Sequence, residues 1–424
     1  MRDTQLPNEL SMIELLPPNP TVATSIEARS GRRGDVGREV VLRFDLEDRV
    51  AVPAPRVSII IPAYNAQDTL DKAVSSALGQ TEVSVEVIIV DDCSVDATWD
   101  LARRLAATDP RVRVARLPAN RGKSHVMNYA TELARGSWIA LLDADDWYAP
   151  TRIERLVDAA EACDVEMAAD NLYFVDNHAH LCTGVGFRPN GSQRIVDLDA
   201  FLQMSDPTAR YDYGMLQPVF RADFIRRHSL DYDERARIGE DFYQLLCFFQ
   251  VGGRGIVLDT PMYYYVEPFG SISKCWAQPT RSRYCYESML ETHRYFAGVL
   301  GPRLDPWQRD LLDRRGAGIT AMVTLHQMSE CLVRRDPSGF LRRVVRTTPE
   351  FWAVLCRKLV ARARATIFPK RGTPILENGD VDGGAAAGSD GRAVPAAPPV
   401  RWPRGRVGTG AVGGTLAGHR TSRG

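Results

Sequence analysis

The chain has 424 residues, of which 44% are hydrophobic and 25% charged, enough to bury one large core or two modest ones. Its 53 basic residues balance 53 acidic ones, so no global field points to a nucleic-acid partner. Eight scattered cysteines include no Cys-x-x-Cys pair, which indicates neither a zinc site nor a disulfide framework and favours a reduced, cytosolic compartment.

The N-terminal "MRDTQLPNELSMIELLPPNP" lacks the basic flank and apolar stretch of a secretory signal. No run of about 18 apolar residues occurs, so no transmembrane helix is expected and a membrane would be met only from the side. Residues 1–55 mix Pro, Gly, Arg and acids without clear periodicity and are expected to be an irregular extension with, at most, short helices. The pattern then changes. "VSIIIPA" (57–63) predicts a strand, and "AQDTLDKAVSSALGQ" (66–80) has helical apolar spacing. "VEVIIVDD" (85–92) predicts a second strand, followed by a helix over 94–109 with Ser94 or Asp96 as N-cap. "RVRVARL" (111–117), "GKSHVMNYATELARG" (122–136) and "SWIALLD" (137–143) predict strand, helix and strand again. Such alternation predicts an α/β fold with a mostly parallel central sheet and helices on both faces, binding ligands beyond the carboxyl ends of its strands.

After 150 the rhythm loosens. A helix is expected over 151–163, strands near 165–175 and 182–187, an apolar segment at 215–220, a helix at 240–250 and an extended stretch at 256–266. Residues 278–365 read as successive helices, a C-terminal helical appendage. The Gly-, Ala- and Pro-rich segment 372–424 has too little apolar surface to offset its ordering entropy and is expected to be disordered. The divisions are therefore 1–55, a main domain at 56–275, a helical region at 276–371 and a tail at 372–424.

The chemistry gathers at predicted strand ends. "WIALLDADDW" places Asp143, Asp145 and Asp146 where the fourth strand stops. Close carboxylates repel one another unless a cation joins them, and Mg²⁺ or Mn²⁺ takes oxygen ligands from one or two carboxylates and substrate phosphates. The other reading is that Asp145 or Asp146 caps helix 151–163. "PAYNA" ends the first strand and "VDDCS" the second. Tyr64 suits stacking on a base, and Asp91 or Asp92 suits a hydrogen bond to a base or ribose, or else a helix cap.

In order and spacing, "VSIIIPAYNAQDTLDKAVSSALGQ", "VIIVDDCSVDAT", "NRGKSHVMNYA" and "WIALLDADDW" resemble the family 2 glycosyltransferases of the GT-A (nucleotide-diphospho-sugar transferase) fold, over residues 57–275. The resemblance implies a nucleotide-sugar donor, usually UDP-linked, held by Pro62, Tyr64, Asn65, Asp91 and Asp92. It implies donor contacts from Asn120, Gly122, Lys123 and Asp143, and a Mg²⁺ or Mn²⁺ ion on Asp145 and Asp146, with Asp145 as first choice. In "GEDFYQLL" it implies Asp241 as catalytic base with Glu240 beside it. Both acids also suit a helix N-terminal turn. "AADNLYFVD", "YGMLQPVF", "RIGEDF" and "GSISK" resemble glucosyltransferases of succinoglycan-type exopolysaccharide assembly. That likeness implies an inverting transfer of glucose to a saccharide acceptor, with a lipid-linked one in view, by a protein that is cytoplasmic or peripheral at the inner face of the membrane.

Several motifs carry less. "RGKS" lacks the glycine of a phosphate loop, since Leu117 stands five residues before Gly122. "NHAH" reads as an exposed loop rather than a metal site, and His125 as a donor contact or as solvated helix surface. "YDYGMLQPVF" and "MYYYV" suit either an acceptor-facing wall or core. Residues 350–371 combine Phe351, Trp352, Leu355 and Leu359 with Arg and Lys, a pattern of a helix packed on the main domain or lying in an anionic membrane surface. Two competing functions remain. A sugar-phosphate nucleotidylyltransferase needs a Gly-rich basic loop after the first strand, which "PAYNAQDT" lacks. A non-catalytic nucleotide-sugar or glycan-binding scaffold should have eroded acids, yet Asp92, Asp145 and Asp241 are present.

Overall fold

The computed structural model describes residues 23–30, 38–45, 54–82, 84–176, 181–267, 279–367 and 373–374. Two antiparallel strands, β1 (Ala23–Ser30) and β2 (Arg38–Asp45), precede the predicted core. They correct the expectation of an irregular extension over 1–55. "REVVLRFD" alternates Val40, Leu42 and Phe44, a period-two signal that the surrounding Pro, Gly and Arg obscure. The hairpin finds its hydrogen bonds by adding β2 to the edge of the main sheet.

That sheet begins as predicted, with β3 (Val57–Ala63), α1 (Leu70–Leu78), β4 (Val85–Asp91), α2 (Thr98–Thr108), β5 (Val112–Arg116), α3 (Lys123–Leu133) and β6 (Trp138–Leu141). β3 pairs in parallel with β4 and β6, and β4 with β5. The strands are continuous apolar runs because both faces are covered. Ile59, Ile61, Val87 and Ile89 pack on Val74, Ala77, Trp99 and Ala102 on one side. Ile60, Ile88 and Val90 pack on Val126, Met127 and Ala130 on the other. Each such side chain, fully buried, contributes roughly 1.5–3 kcal/mol.

Next come β7 (Trp147–Tyr148), α4 (Arg152–Cys163), β8 (Met167–Asp176), β9 (Leu181–Val185), β10 (Gln193–Val196), α5 (Leu198–Gln203), β11 (Val219–Arg221), α6 (Ala222–Arg227), α7 (Glu240–Gln250) and β12 (Gly255–Glu267). The sheet order is β1-β2-β5-β4-β3-β6-β11-β8-β12-β10. Only the block β5-β4-β3-β6 and the pair β8–β12 are parallel along this order. β11 runs antiparallel to both β6 and β8, so the sheet is mixed beyond β6. The apolar segment predicted at 215–220 yields only this short strand, which starts after Pro218, a residue without an N–H to pair.

The predicted helical region is α8 (Pro279–Leu300), α9 (Pro306–Val333), α10 (Pro337–Val344) and α11 (Pro349–Ile367). Each starts with proline, whose fixed φ suits a first helical position. Asp305 and Gln308 close a capping box on α9. Phe296 and Leu300 of α8 share a core with Phe242 and Leu245 of α7. Phe351 and Val354 of α11 pack on Ala321 and Met328 of α9, while Trp352, Leu359 and Val360 stay exposed. Within the tail expected to be disordered, β13 (Thr373–Pro374) pairs with β9. The rest of that tail lies outside the described residues, as do "NHAH" and "GSISK".

A buried ion pair ties the two halves of the sheet together. Arg152 Nη2 donates to Asp170 Oδ1 at 2.7 Å and to the Gln217 carbonyl, while Asp170 Oδ2 accepts from the Met262 N–H at 3.1 Å. The guanidinium also lies over the rings of Tyr148 and Tyr263. Tyr263 links this knot to the loop that follows β6, its hydroxyl donating to Asp146 Oδ2 at 2.7 Å.

Candidate active site

Parallel pairing brings the ends of β3, β4 and β6 to one edge, and a cavity of about 610 Å³ opens there. Pro62, Tyr64, Asn65 and Asp92 line it, with Tyr64 38% exposed and available for stacking. Asn65 adopts φ 50°, its N–H donates to Ser94 Oγ at 2.9 Å, and its side-chain oxygen accepts from the Val95 N–H at 3.0 Å. It therefore braces the two strand ends.

The adjacent aspartates divide their work. Asp91 is fully buried and does not line the cavity. It accepts from the Ser94 N–H and pairs with Arg116 Nε at 3.1 Å. A strand's alternation turns neighbouring side chains to opposite faces, so Asp91 faces away from the cavity that Asp92 lines. Asp92 accepts the N–H groups of Arg121 and Gly122 at 2.7 and 2.8 Å. It thus holds the "NRGK" loop and does not cap α2. Asp96 serves the start of that helix, accepting from the Thr98 N–H at 3.0 Å, whereas Ser94 turns to Asn65.

Asn120, Gly122 and Lys123 line the cavity. Gly122 precedes α3 at φ 89°, a left-handed conformation that suits glycine. Lys123 then projects among acids. Its Nζ lies 3.0 Å from Asp143 Oδ1, 3.2 Å from Asp241 Oδ2 and 3.9 Å from Glu240 Oε1. Burial alone would depress this ammonium, but Asp143, Asp241 and Glu240 outweigh it and hold its pKa well above the ordinary value.

Asp143, Asp145 and Asp146 all line the cavity, as do Glu240 and Asp241 from the first turn of α7. Residues separated by about a hundred positions therefore converge as expected. Burial pushes the Asp241 carboxyl up, with Lys123 opposing and Asp143 adding to the rise. Glu240 is pushed up to about 7 by burial and by Asp241. The Tyr232 hydroxyl, buried and facing the same acids, is raised well above its usual range.

The chemistry of the donor set tests the expected metal. Asp146 has both oxygens engaged: Oδ2 by Tyr263 Oη at 2.7 Å and Oδ1 by the Val266 N–H at 2.8 Å. Burial holds it well above the ordinary carboxylate range. These bonds brace the loop against β12, which leaves Asp145 as first choice for the ion. Asp145 fits a Mg²⁺ or Mn²⁺ ion that takes one carboxylate and completes its shell with phosphate oxygens. Among the described residues no group of three or more His, Cys, Asp or Glu is arranged to hold an ion unaided.

Other predictions sort themselves. His125 Nδ1 lies 2.9 Å from Glu234 Oε1 and does not line the cavity. In "YDYGMLQPVF", Tyr213 and Leu216 are core, while Asp212, Gly214, Met215 and Gln217 line the cavity. In "MYYYV", Tyr263 is core and Tyr265 lines the cavity. Sequence reasoning missed Arg315 altogether and, within the flagged segments 211–220 and 237–242, did not single out Asp212, Gln217 or Arg237. No local pattern marks these, since each acquires its place only through long-range packing.

Residues 58–207 match the family model described as "Glycosyl transferase family 2". The chain is 37% identical over 221 residues to the succinoglycan biosynthesis protein ExoO of Rhizobium meliloti (strain 1021), covering 52% of this chain and 63% of that protein. It is 36% identical over 193 residues to ExoU of the same organism, covering 44% and 54%. It is 38% identical over 117 residues to "UDP-Glc:alpha-D-GlcNAc-diphosphoundecaprenol beta-1,3-glucosyltransferase WfaP" of Escherichia coli, covering 28% and 46%. The chain thus spans about half to two thirds of the length of these relatives. The motifs at β3, β4, α3 and β6 fall inside the matched segment, and the cavity forms at their ends. Residues 58–207 are therefore a glycosyl transferase family 2 domain, in a chain that resembles the succinoglycan biosynthesis proteins.

Proposed function

We propose that this protein is an inverting, metal-dependent glycosyltransferase that moves a hexose from a nucleoside diphosphate sugar to a saccharide acceptor in bacterial exopolysaccharide synthesis. Glucose from a UDP-linked donor is the first choice, and a lipid-linked saccharide is the acceptor class favoured. The carrying observation is the meeting of Asp143, Lys123 and Asp241 within 3.0–3.2 Å contacts in one cavity. The succinoglycan relatives support the pathway class, and the activity for which WfaP is named supports the donor and the lipid linkage.

An acceptor hydroxyl is a poor nucleophile near neutrality. The Asp241 carboxylate takes its proton as the new bond forms, and a half-buried base of raised affinity does so better; such catalysis contributes about 10²–10⁴-fold. Tyr64 stacks on the base of the nucleotide, and the Asp92-braced loop lines the donor side. Asp145 would hold a Mg²⁺ or Mn²⁺ ion, which when bound would neutralise charge on the departing diphosphate. Base and leaving group lie on opposite faces of the sugar, so a single displacement inverts the anomeric centre.

Among the described residues no helix is long and apolar enough to cross a membrane. The exposed Trp352, Leu359 and Val360 on a basic α11 support peripheral contact with an anionic inner leaflet. The test is transfer from UDP-glucose to membrane lipid extracts, scored by mass spectrometry with and without EDTA. Asp241→Asn is expected to abolish transfer and retain donor binding, and Asp145→Ala to weaken metal-dependent donor binding. Near-normal turnover by Asp241→Asn sinks the base assignment.

A further inference from the structure

The cavity continues past the acids along surfaces that the reaction above does not use. Asp212 and Gln217, ahead of β11, line this extension, with Met289 of α8 and Arg315 of α9. Arg315 Nη1 donates to Asp212 Oδ2 at 2.6 Å and to the Ser205 carbonyl at 3.3 Å. Asp212 Oδ1 accepts from the Gly214 N–H at 2.9 Å. The Arg315 guanidinium lies 3.7 Å over the ring of Phe242, the residue after Asp241. The ion pair therefore lies against Phe242, next in sequence to Asp241, and lines the same cavity. Both side chains are more than nine-tenths buried, at 8% and 7% exposed. Arg315 Nε and Gln217 Oε1 have no hydrogen-bond partner among the described residues.

Desolvating an arginine and a carboxylate costs several kcal/mol that their attraction does not reliably return, and spare buried polar atoms add to the cost. A cavity wall offering guanidinium donors beside carboxylate and amide acceptors matches the hydroxyls of a sugar ring, each of which both donates and accepts. We propose that Asp212, Arg315 and Gln217 form the acceptor subsite, that it binds a neutral hexopyranoside ring, and that helices α8 and α9 of the C-terminal region build its outer wall. This rests on the transferase reading above. The acceptor ring occupies the base side of the cavity and presents one hydroxyl to Asp241.

The test separates the two halves of the reaction. Donor hydrolysis without acceptor is followed as UDP release from UDP-glucose, UDP-galactose and UDP-N-acetylglucosamine. Transfer and binding are followed with octyl β-D-glucoside, octyl β-D-galactoside and octyl N-acetyl-β-D-glucosaminide, binding by saturation-transfer NMR in the presence of UDP. Asp212→Asn and Arg315→Lys are expected to raise the acceptor KM at least tenfold while donor KM and hydrolysis stay within twofold. Thermal melting screens each variant. Met289→Trp, which narrows the same wall without touching a charge, supplies the test if the polar variants lose their fold, with the same split expected. Acceptor KM values within twofold of the parent overturn the proposal. So do hydrolysis and transfer falling together, or a parent protein that hydrolyses donor yet neither uses nor binds these glycosides. Absence of UDP release from every donor instead brings down the transferase reading itself.

Discussion

Lys123 Nζ stands 3.2 Å from Asp241 Oδ2 and 3.0 Å from Asp143 Oδ1, so one ammonium serves both the proposed base and the loop after β6. Replacing it leaves Asp143, Glu240 and Asp241 without their shared counter-charge. The Asp241 pKa, already raised by burial, then rises further. Lys123→Met should lower turnover at pH 7 by about 10²-fold and move the acidic limb of the pH–rate profile upward, since the base ionises only at higher pH. Lys123→Arg should restore much of both. An unmoved acidic limb in Lys123→Met would separate the lysine from the base.

Asp145 and Asp146 should respond differently to the same substitution. Asp146 is held by Tyr263 and Val266, so Asp146→Asn should cost stability yet leave the Mg²⁺ or Mn²⁺ half-saturation within about twofold. Losing or inverting one buried hydrogen bond costs about 1–3 kcal/mol. Asp145→Asn should raise the metal requirement at least about tenfold, in keeping with a charged ligand of a hard cation. Metal titration of the two variants side by side decides the matter. Equal shifts would return Asp146 to the metal.

Glu240 carries a pH signature. Its pKa is pushed up to about 7 in the folded chain from an ordinary 4.5, so the folded state retains a proton that the unfolded state releases. This contribution to stability is complete below about pH 4.5 and is lost as pH climbs through 7. Glu240→Gln mimics the protonated form. It should melt with the parent near pH 4.5 and above it at pH 8, by up to about 3 kcal/mol if the whole shift is recovered. Identical differences in Tm at the two pH values would contradict the buried, proton-holding carboxyl.

Arg152 and Asp170 are 0% and 1% exposed at their side chains, and removing either strands the other. Arg152→Met should therefore destabilise by about 3–5 kcal/mol. Combining it with Asp170→Leu should recover much of the loss, as shape-matched apolar pairs often do. Chemical denaturation of the single and double variants reads the coupling. A double variant less stable than Arg152→Met alone would mean that Met262, Gln217 and the rings need the charges.

The parallel block was legible because each strand there is buried on both faces and spells an unbroken apolar run. Asp241 was reached only through the family resemblance, since "GED" by itself suits a helix N-terminal turn equally well. The bracing bonds of Asp146 were not legible, since adjacent acids look alike in a sequence and its partner Tyr263 lies 117 positions away. Asp91 and Asp92 were hard to separate for the same reason: only the pleat decides which one faces the cleft. Arg315 was invisible, because on a long helix it resembles any solvated arginine until Asp212, 103 positions earlier, is brought against it. The β1–β2 hairpin was missed because its alternation is short and lies amid turn-forming residues.

The recognised family segment stops at residue 207, partway through the cavity lining: Tyr64, Asp92 and Lys123 precede that point, whereas Asp212, Asp241 and Arg315 follow it. A fragment trimmed to the recognisable motifs would carry half a cleft and leave sheet and aromatic surfaces bare. The same seam invites recombination. Grafting the downstream stretch of a relative onto this upstream one would exchange the receiving end of the pocket while keeping the nucleotide grip, a route by which one ancestral module could be adapted to many glycans.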